Sequence, residues 1–137
     1  MRHMASALLV SCMFLACGDS TAPTVEQIAG SYAATTFNTT EDGVVTDQLA
    51  LGASIQVTLG ADNTTTGRIF VPDAEEGGGD FDMDLTGTWA LGSNDGSVAF
   101  EHASDTFLRD MKFSYSNSRL SGEATFSGVA INVVLRK

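Results

Sequence analysis

Over most of the chain, hydrophobic and polar residues alternate with a period of two, which predicts strands rather than helices. The clearest run puts Ile55, Val57 and Leu59 on one side and Gln56 and Thr58 on the other. Antiparallel sheets with one packed face and one wet face show this alternation. We therefore expect antiparallel sheet and no helix after the N-terminal segment.

Turn-forming residues such as Asp42-Gly43 and Asn117-Ser118 separate the alternating runs. Eight or nine short strands joined by tight turns predict an all-β, antiparallel up-and-down meander. Closing the meander into a small barrel would remove the exposed edges of the sheet, and a β-sandwich is the alternative. The predicted strands are 30–37, 45–51, 54–59, 64–71, 81–91, 97–102, 107–115, 119–126 and 129–135.

The first residues of the chain form a different pattern. Residues 5–16 are an apolar run that follows Arg2, and they match the apolar region of a secretory signal peptide while being too short to span a bilayer. Phe14-Leu15-Ala16-Cys17 ends this run, and it resembles the lipobox of bacterial lipoproteins, with Phe14 where leucine is usual. The resemblance implies cleavage before Cys17 and acylation of its thiol. An ordinary signal peptide is the alternative.

This reading divides the chain into three parts. Residues 1–16 are the predicted signal peptide, residues 17–27 a flexible tether of small and polar residues, and residues 28–137 the β-barrel domain. The lipobox resemblance implies a bacterial envelope protein whose partner is the lipid bilayer. The outer membrane is favoured, because Gly18 does not signal retention in the inner membrane.

Two short segments share a glycine followed two residues later by an aromatic residue. Gly30-Ser31-Tyr32 and Gly87-Thr88-Trp89 resemble the Gly-x-Trp signature of lipocalins and related calycin barrels. The resemblance implies a compact barrel in which the aromatic ring plugs the closed end. The alternative is that both aromatic residues are ordinary members of the core.

A small barrel can hold one ligand or be filled by its own side chains. The first possibility predicts non-catalytic binding of a small apolar molecule, and the second a structural or interaction lipoprotein with no ligand. Arg109 is in phase with inward-facing residues, where it could meet a ligand carboxylate or reach to water at a barrel end. The candidate ligand-binding residues are Met83, Trp89, Phe100, Arg109, Met111 and Phe113.

The formal net charge of −10 argues against nucleic-acid binding. The most acidic segment contains Asp80, Asp82 and Asp84, which are weak candidates for holding a divalent cation. Leu85 and Leu91 occupy the positions where a calcium loop needs glycine and glutamate. We therefore expect solvated carboxylates on the wet face of a strand and no metal site or cofactor.

No catalytic constellation is visible in the sequence. His102 is the only histidine after the predicted cleavage site, and no nucleophile or acid stands at a motif spacing from it. Cys12 and Cys17 both lie before the predicted barrel, so a disulfide or thiolate metal site is not expected within it. The sequence predicts a protein that is not an enzyme.

Overall fold

The chain folds into a closed eight-stranded antiparallel β-barrel with two additional strands, as seen in a computed structural model that describes residues 22–93 and 95–137. The predicted signal peptide and Cys17 lie outside the described residues. The strands are β1 Gly30–Glu41, β2 Val44–Asp47, β3 Ser54–Leu59, β4 Thr64–Glu75, β5 Gly79–Asp84, β6 Gly87–Leu91, β7 Ser97–His102, β8 Lys112–Ser116, β9 Arg119–Phe126 and β10 Val129–Arg136.

Pairing between the first and last strands closes the barrel. β1 and β10 are antiparallel neighbours from Ala33↔Arg136 to Thr40↔Ala130, and the ring runs β1–β3–β4–β6–β7–β8–β9–β10. This closure confirms the predicted barrel and excludes the β-sandwich alternative. Closure also satisfies the backbone groups that free sheet edges would expose.

The two additional strands, β2 and β5, pair with the parts of β1 and β4 nearest the mouth. β2 and β3 pair one after the other along β1, separated by a loop over residues 48–53. β5 and β6 likewise follow one another along β4, with one register from Thr64 to Val71 and a shift between Val71 and Glu75. The predicted strand 81–91 is therefore two strands interrupted at Leu85-Thr86, and the predicted strand 45–51 ends at Asp47.

Two short helices contradict the expectation that none would follow the N-terminal segment. In α1 (Val25–Ile28), Thr24 accepts a hydrogen bond from the Gln27 N–H while the Gln27 side chain accepts one from the Thr24 N–H, a reciprocal capping box. This helix overlaps the end of the segment predicted as tether. α2 (Phe107–Asp110) replaces the start of the predicted strand 107–115.

The barrel has two different ends. At the closed end lie α1 and the β3–β4, β6–β7 and β8–β9 turns, and Lys137 Nζ donates to the Gln27 carbonyl at 2.5 Å. Pro23 packs beside Gly96, so the described chain enters at this end. At the opposite end, which we call the mouth, the β1–β2, β4–β5 and β9–β10 hairpins surround the loop that leads into α2.

Within the described residues one hydrophobic core fills the barrel between the closed end and the mouth, a region that we call the lower barrel. Its fully buried members include Trp89, Phe113, Leu108, Leu120 and Val133. All ten strands and this core lie within residues 22–137, and the ring closes on itself. We therefore expect residues 22–137 to fold without the residues that precede them.

Candidate functional site

An open cavity of about 620 Å³ occupies the mouth of the barrel. Its floor is formed by Phe37, Val71 and Ile131, which are almost completely buried. Phe81 and Phe107 are partly buried and line its sides. The volume falls in the range of roughly 300–1,000 Å³ that is typical of small-molecule pockets, which are mostly apolar with a few polar groups.

The cavity forms where the wall of the barrel is interrupted. Between β2 and β3 the chain forms a loop over residues 48–53, which contributes Gln48 and the 61% exposed Leu51 to the cavity. The Gln48 N–H donates to the Phe37 carbonyl at 2.8 Å, and its side-chain amide donates to Thr39 Oγ1 at 2.8 Å. These hydrogen bonds hold the loop over residues 48–53 against β1 and thereby fix this side of the cavity.

Across the cavity, α2 and the loop before it form the opposite rim. The Phe107 ring packs against Phe37 with a centroid distance of 5.4 Å. Asp105 lines the cavity, and its carboxylate accepts a hydrogen bond from the Arg109 guanidinium at 2.5 Å. The ion pair and the aromatic contact together position this rim.

Four of the six predicted ligand-binding residues, Trp89, Phe100, Met111 and Phe113, are core residues. Each is at most 3% exposed, and the Phe100 and Phe113 rings meet edge to face at 5.1 Å. The structure brings these four together in the lower barrel, below the cavity. None of the six predicted residues lines the cavity among the residues described there.

The other two predicted residues lie apart from this group. Met83 is partly buried on β5 and packs against the edge of the core. Arg109 lies on α2 rather than on a strand, and its side chain is 36% exposed and pairs with Asp105 and Asp110. Because residue 109 lies in a helical turn and not in the predicted strand, the strand phase from which its direction was inferred does not apply.

The carboxylates of Asp80, Asp82 and Asp84 have separate partners. Asp82 pairs with Arg68, whose hydrogen bond holds the pKa of that carboxyl below its usual value. Asp80 accepts the Asp73 N–H, and Asp84 accepts the Thr86 N–H. Within residues 22–93 and 95–137, no three His, Cys, Asp or Glu side chains are grouped to hold a metal ion.

His102 ends β7, as predicted, but its side chain is buried rather than solvated. Its Nε2 forms a 2.6 Å hydrogen bond with Thr106 Oγ1, which ties β7 to the loop before α2. Burial lowers the pKa of His102, and nearby Arg109 lowers it further, while Asp110 and Asp84 oppose these effects. This contact makes His102 a support for the rim of the mouth.

The aromatic residues of the two Gly-x-aromatic segments both lie at the closed end. Tyr32 donates its hydroxyl to the Ile28 carbonyl at 2.5 Å, and Trp89 donates its indole N–H to the Gly60 carbonyl at 2.9 Å. Both side chains are 2% exposed. Burial raises the pKa of the Tyr32 hydroxyl well above its usual value, so it remains a hydrogen-bond donor.

Sequence reasoning missed the residues that line the cavity. Phe37, Val71 and Phe81 stand at the ends of predicted strands, where a barrel opens, whereas the predicted site used residues near strand centres. Large apolar side chains at strand ends are a signal that could have found them. This signal identifies cavity residues only when it is known which end of each strand lies at the mouth.

Neither helix in the described part of the chain is long and apolar enough to cross a membrane. Comparisons with protein-family models, with curated proteins and with solved structures found no match. The function must therefore be inferred from the chain's own geometry and chemistry.

Proposed function

We propose that this chain is a lipoprotein of the bacterial envelope, anchored through acylated Cys17, whose lipocalin-like barrel binds a small apolar ligand without catalysis. The cavity at the mouth carries the binding half of the proposal. Its floor of Phe37, Val71 and Ile131 and its sides of Phe81 and Phe107 offer a ligand an apolar surface. Burying such a surface contributes about 25 cal/mol for each Å² removed from water.

The proposed ligand lies above the residues first predicted to contact it. Trp89, Phe100 and Phe113 fill the lower barrel and support the floor. Leu51 is a large apolar side chain left 61% exposed beside the cavity. A bound apolar molecule would cover this side chain and thereby gain affinity.

The anchoring half of the proposal rests on the Phe14-Leu15-Ala16-Cys17 segment. Several acyl chains on one cysteine give stable membrane attachment, because each buried methylene contributes about 0.8 kcal/mol. The proposed location is the outer membrane, on its periplasmic face or at the cell surface.

Labelling the full chain with palmitate in a bacterial host tests the anchor. We expect label on the unmodified chain and on Cys12→Ser, and none on Cys17→Ser, which should leave the membrane fraction. Cys12 is the matched control, because it lies in the same apolar segment. A Cys17→Ser chain that still takes up palmitate, or remains bound to membranes, would contradict the anchoring proposal.

Filling the cavity tests the binding half. Ala74 is exposed and lines the cavity, so Ala74→Trp should occupy the mouth without disturbing the core. Binding of the fluorescent probe N-phenyl-1-naphthylamine to residues 22–137 should weaken at least roughly tenfold, the effect of losing about 1.4 kcal/mol. Ala99→Trp, on the outer wall of β7, is the control and should bind the probe like the unmodified protein.

A second candidate function is a structural or interaction lipoprotein without a ligand. The observation that favours it is the filled lower barrel, in which Trp89 and Phe113 are buried. The same experiment separates the two candidates. Equal probe binding by Ala74→Trp and Ala99→Trp, or no binding to the unmodified protein, would favour the structural role.

A further inference from the structure

The charged residues that line the mouth cavity are of one sign. Asp73 and Asp105 line it, and no lysine or arginine is among the described lining residues. The cavity thus combines an apolar floor with an acidic rim, in a chain whose formal net charge is −10.

The two carboxylates differ in how far they are already neutralised. Asp105 is paired with Arg109. Asp73 has no ion-pair partner within residues 22–93 and 95–137. Its N–H donates to the carboxylate of Asp80 at 3.0 Å, which places a second negative group beside it. The Asp73 side of the rim therefore carries more unneutralised acidic groups than the Asp105 side.

We propose that the ligand of this cavity is an amphiphile with an apolar body and a cationic, ammonium-type head. This inference rests on the proposed function and adds the charge of the ligand to it. The apolar body would cover Phe37, Val71 and Ile131, and the head would lie at the rim near Asp73. A carboxylate or phosphate head at the same place would meet like charge, which disfavours its binding.

Three ligands with the same alkyl chain test the proposal. Decylamine, decanol and decanoate present a cationic, a neutral and an anionic head. Each is titrated calorimetrically into residues 22–137, below the solubility limit of decanol and the micelle concentrations of the other two. We expect decylamine to bind most tightly, decanol next and decanoate least. Added salt should weaken the binding of decylamine, because it screens exposed charges.

Two matched variants locate the charge effect. Asp73→Asn removes one charge at the rim and keeps a residue that tolerates the φ of 53° found there. Glu123→Gln removes one charge from the exposed outer wall of β9. We expect Asp73→Asn to weaken decylamine binding about two- to five-fold, the effect of an exposed charge pair. Glu123→Gln should leave it unchanged.

The possible failures are distinguishable. If none of the three compounds binds, the proposed ligand-binding function fails. If decanol and decanoate bind as tightly as decylamine, apolar binding stands and the cationic head is wrong. If Asp73→Asn and Glu123→Gln weaken decylamine binding equally, the overall acidity of the protein is responsible, and the inference about the rim is overturned.

Discussion

The closed end and the mouth are built from the same strands but differ in how they satisfy their polar groups and fill their space. At the closed end, Trp89 and Tyr32 bury aromatic rings and donate hydrogen bonds to backbone carbonyls. At the mouth, Phe81 and Phe107 are only partly buried and surround open space. We therefore expect the closed end to contribute most of the stability, whereas the mouth keeps an open apolar surface.

Truncating a large side chain at each end should give the largest difference in stability between the two ends. Trp89→Ala removes a buried indole and its hydrogen bond to Gly60, and we expect a loss of about 3–5 kcal/mol in the free energy of unfolding. Leu51→Ala, at the mouth, should change it by less than about 0.5 kcal/mol. Urea denaturation of residues 22–137 measures both. Equal losses would mean that the mouth carries as much stability as the closed end.

A smaller effect is expected from the hydroxyl that joins α1 to the barrel. Tyr32→Phe leaves the ring in place but removes the hydrogen bond to Ile28, which should destabilise the fold by about 1 kcal/mol. Amide hydrogen exchange in α1 should become faster. The control is Tyr115→Phe, whose hydroxyl donates to Gln27 in an exposed position, and a loss as large as that of Tyr32→Phe would show that burial is not decisive here.

The smallest expected effect on stability comes from His102, at the rim of the mouth. Because burial lowers the folded-state pKa of His102, the unfolded chain binds its proton more readily than the folded one. The contribution to stability is therefore complete above the unfolded pKa of about 6.5 and is lost as the pH falls toward the lower folded pKa.

Urea denaturation between pH 8 and pH 5, the range of roughly one histidine titration, measures this dependence. His102→Gln keeps a hydrogen-bonding side chain near Thr106 but cannot take up the proton, so its stability should vary less over the same range. Identical pH profiles for the two proteins would exclude His102 as the titrating group.

The sequence predicted the barrel because alternation survives in nearly every strand. At the mouth the structure differs from this prediction, because the predicted strand 81–91 is two strands and because a meander would make residues 45–51 and 54–59 antiparallel neighbours. In the structure β2 and β3 run in the same direction along β1. An all-antiparallel ring needs an even number of strands, so this correction also decides which strand ends meet at the mouth.

The helix at the mouth was missed for a local reason. Phe107, Met111 and Phe113 are compatible with the alternation of a strand, yet Leu108 is apolar in the opposite phase and is 1% exposed. A helical turn buries Leu108 and leaves Phe107 at the cavity. The candidate site depends on this turn and on the loop over residues 48–53, and neither follows from a period of two.

The entry of the chain beside Gly96 has a consequence for orientation. Cys17 precedes Ala22 by five residues, and a fully extended chain of this length spans at most about 18 Å. With the proposed acyl anchor in a bilayer, this short connection would keep the closed end near the lipid headgroups. The mouth would then face the aqueous compartment. A ligand would then arrive from solution or from a facing surface, rather than by sliding sideways out of the membrane that holds the protein.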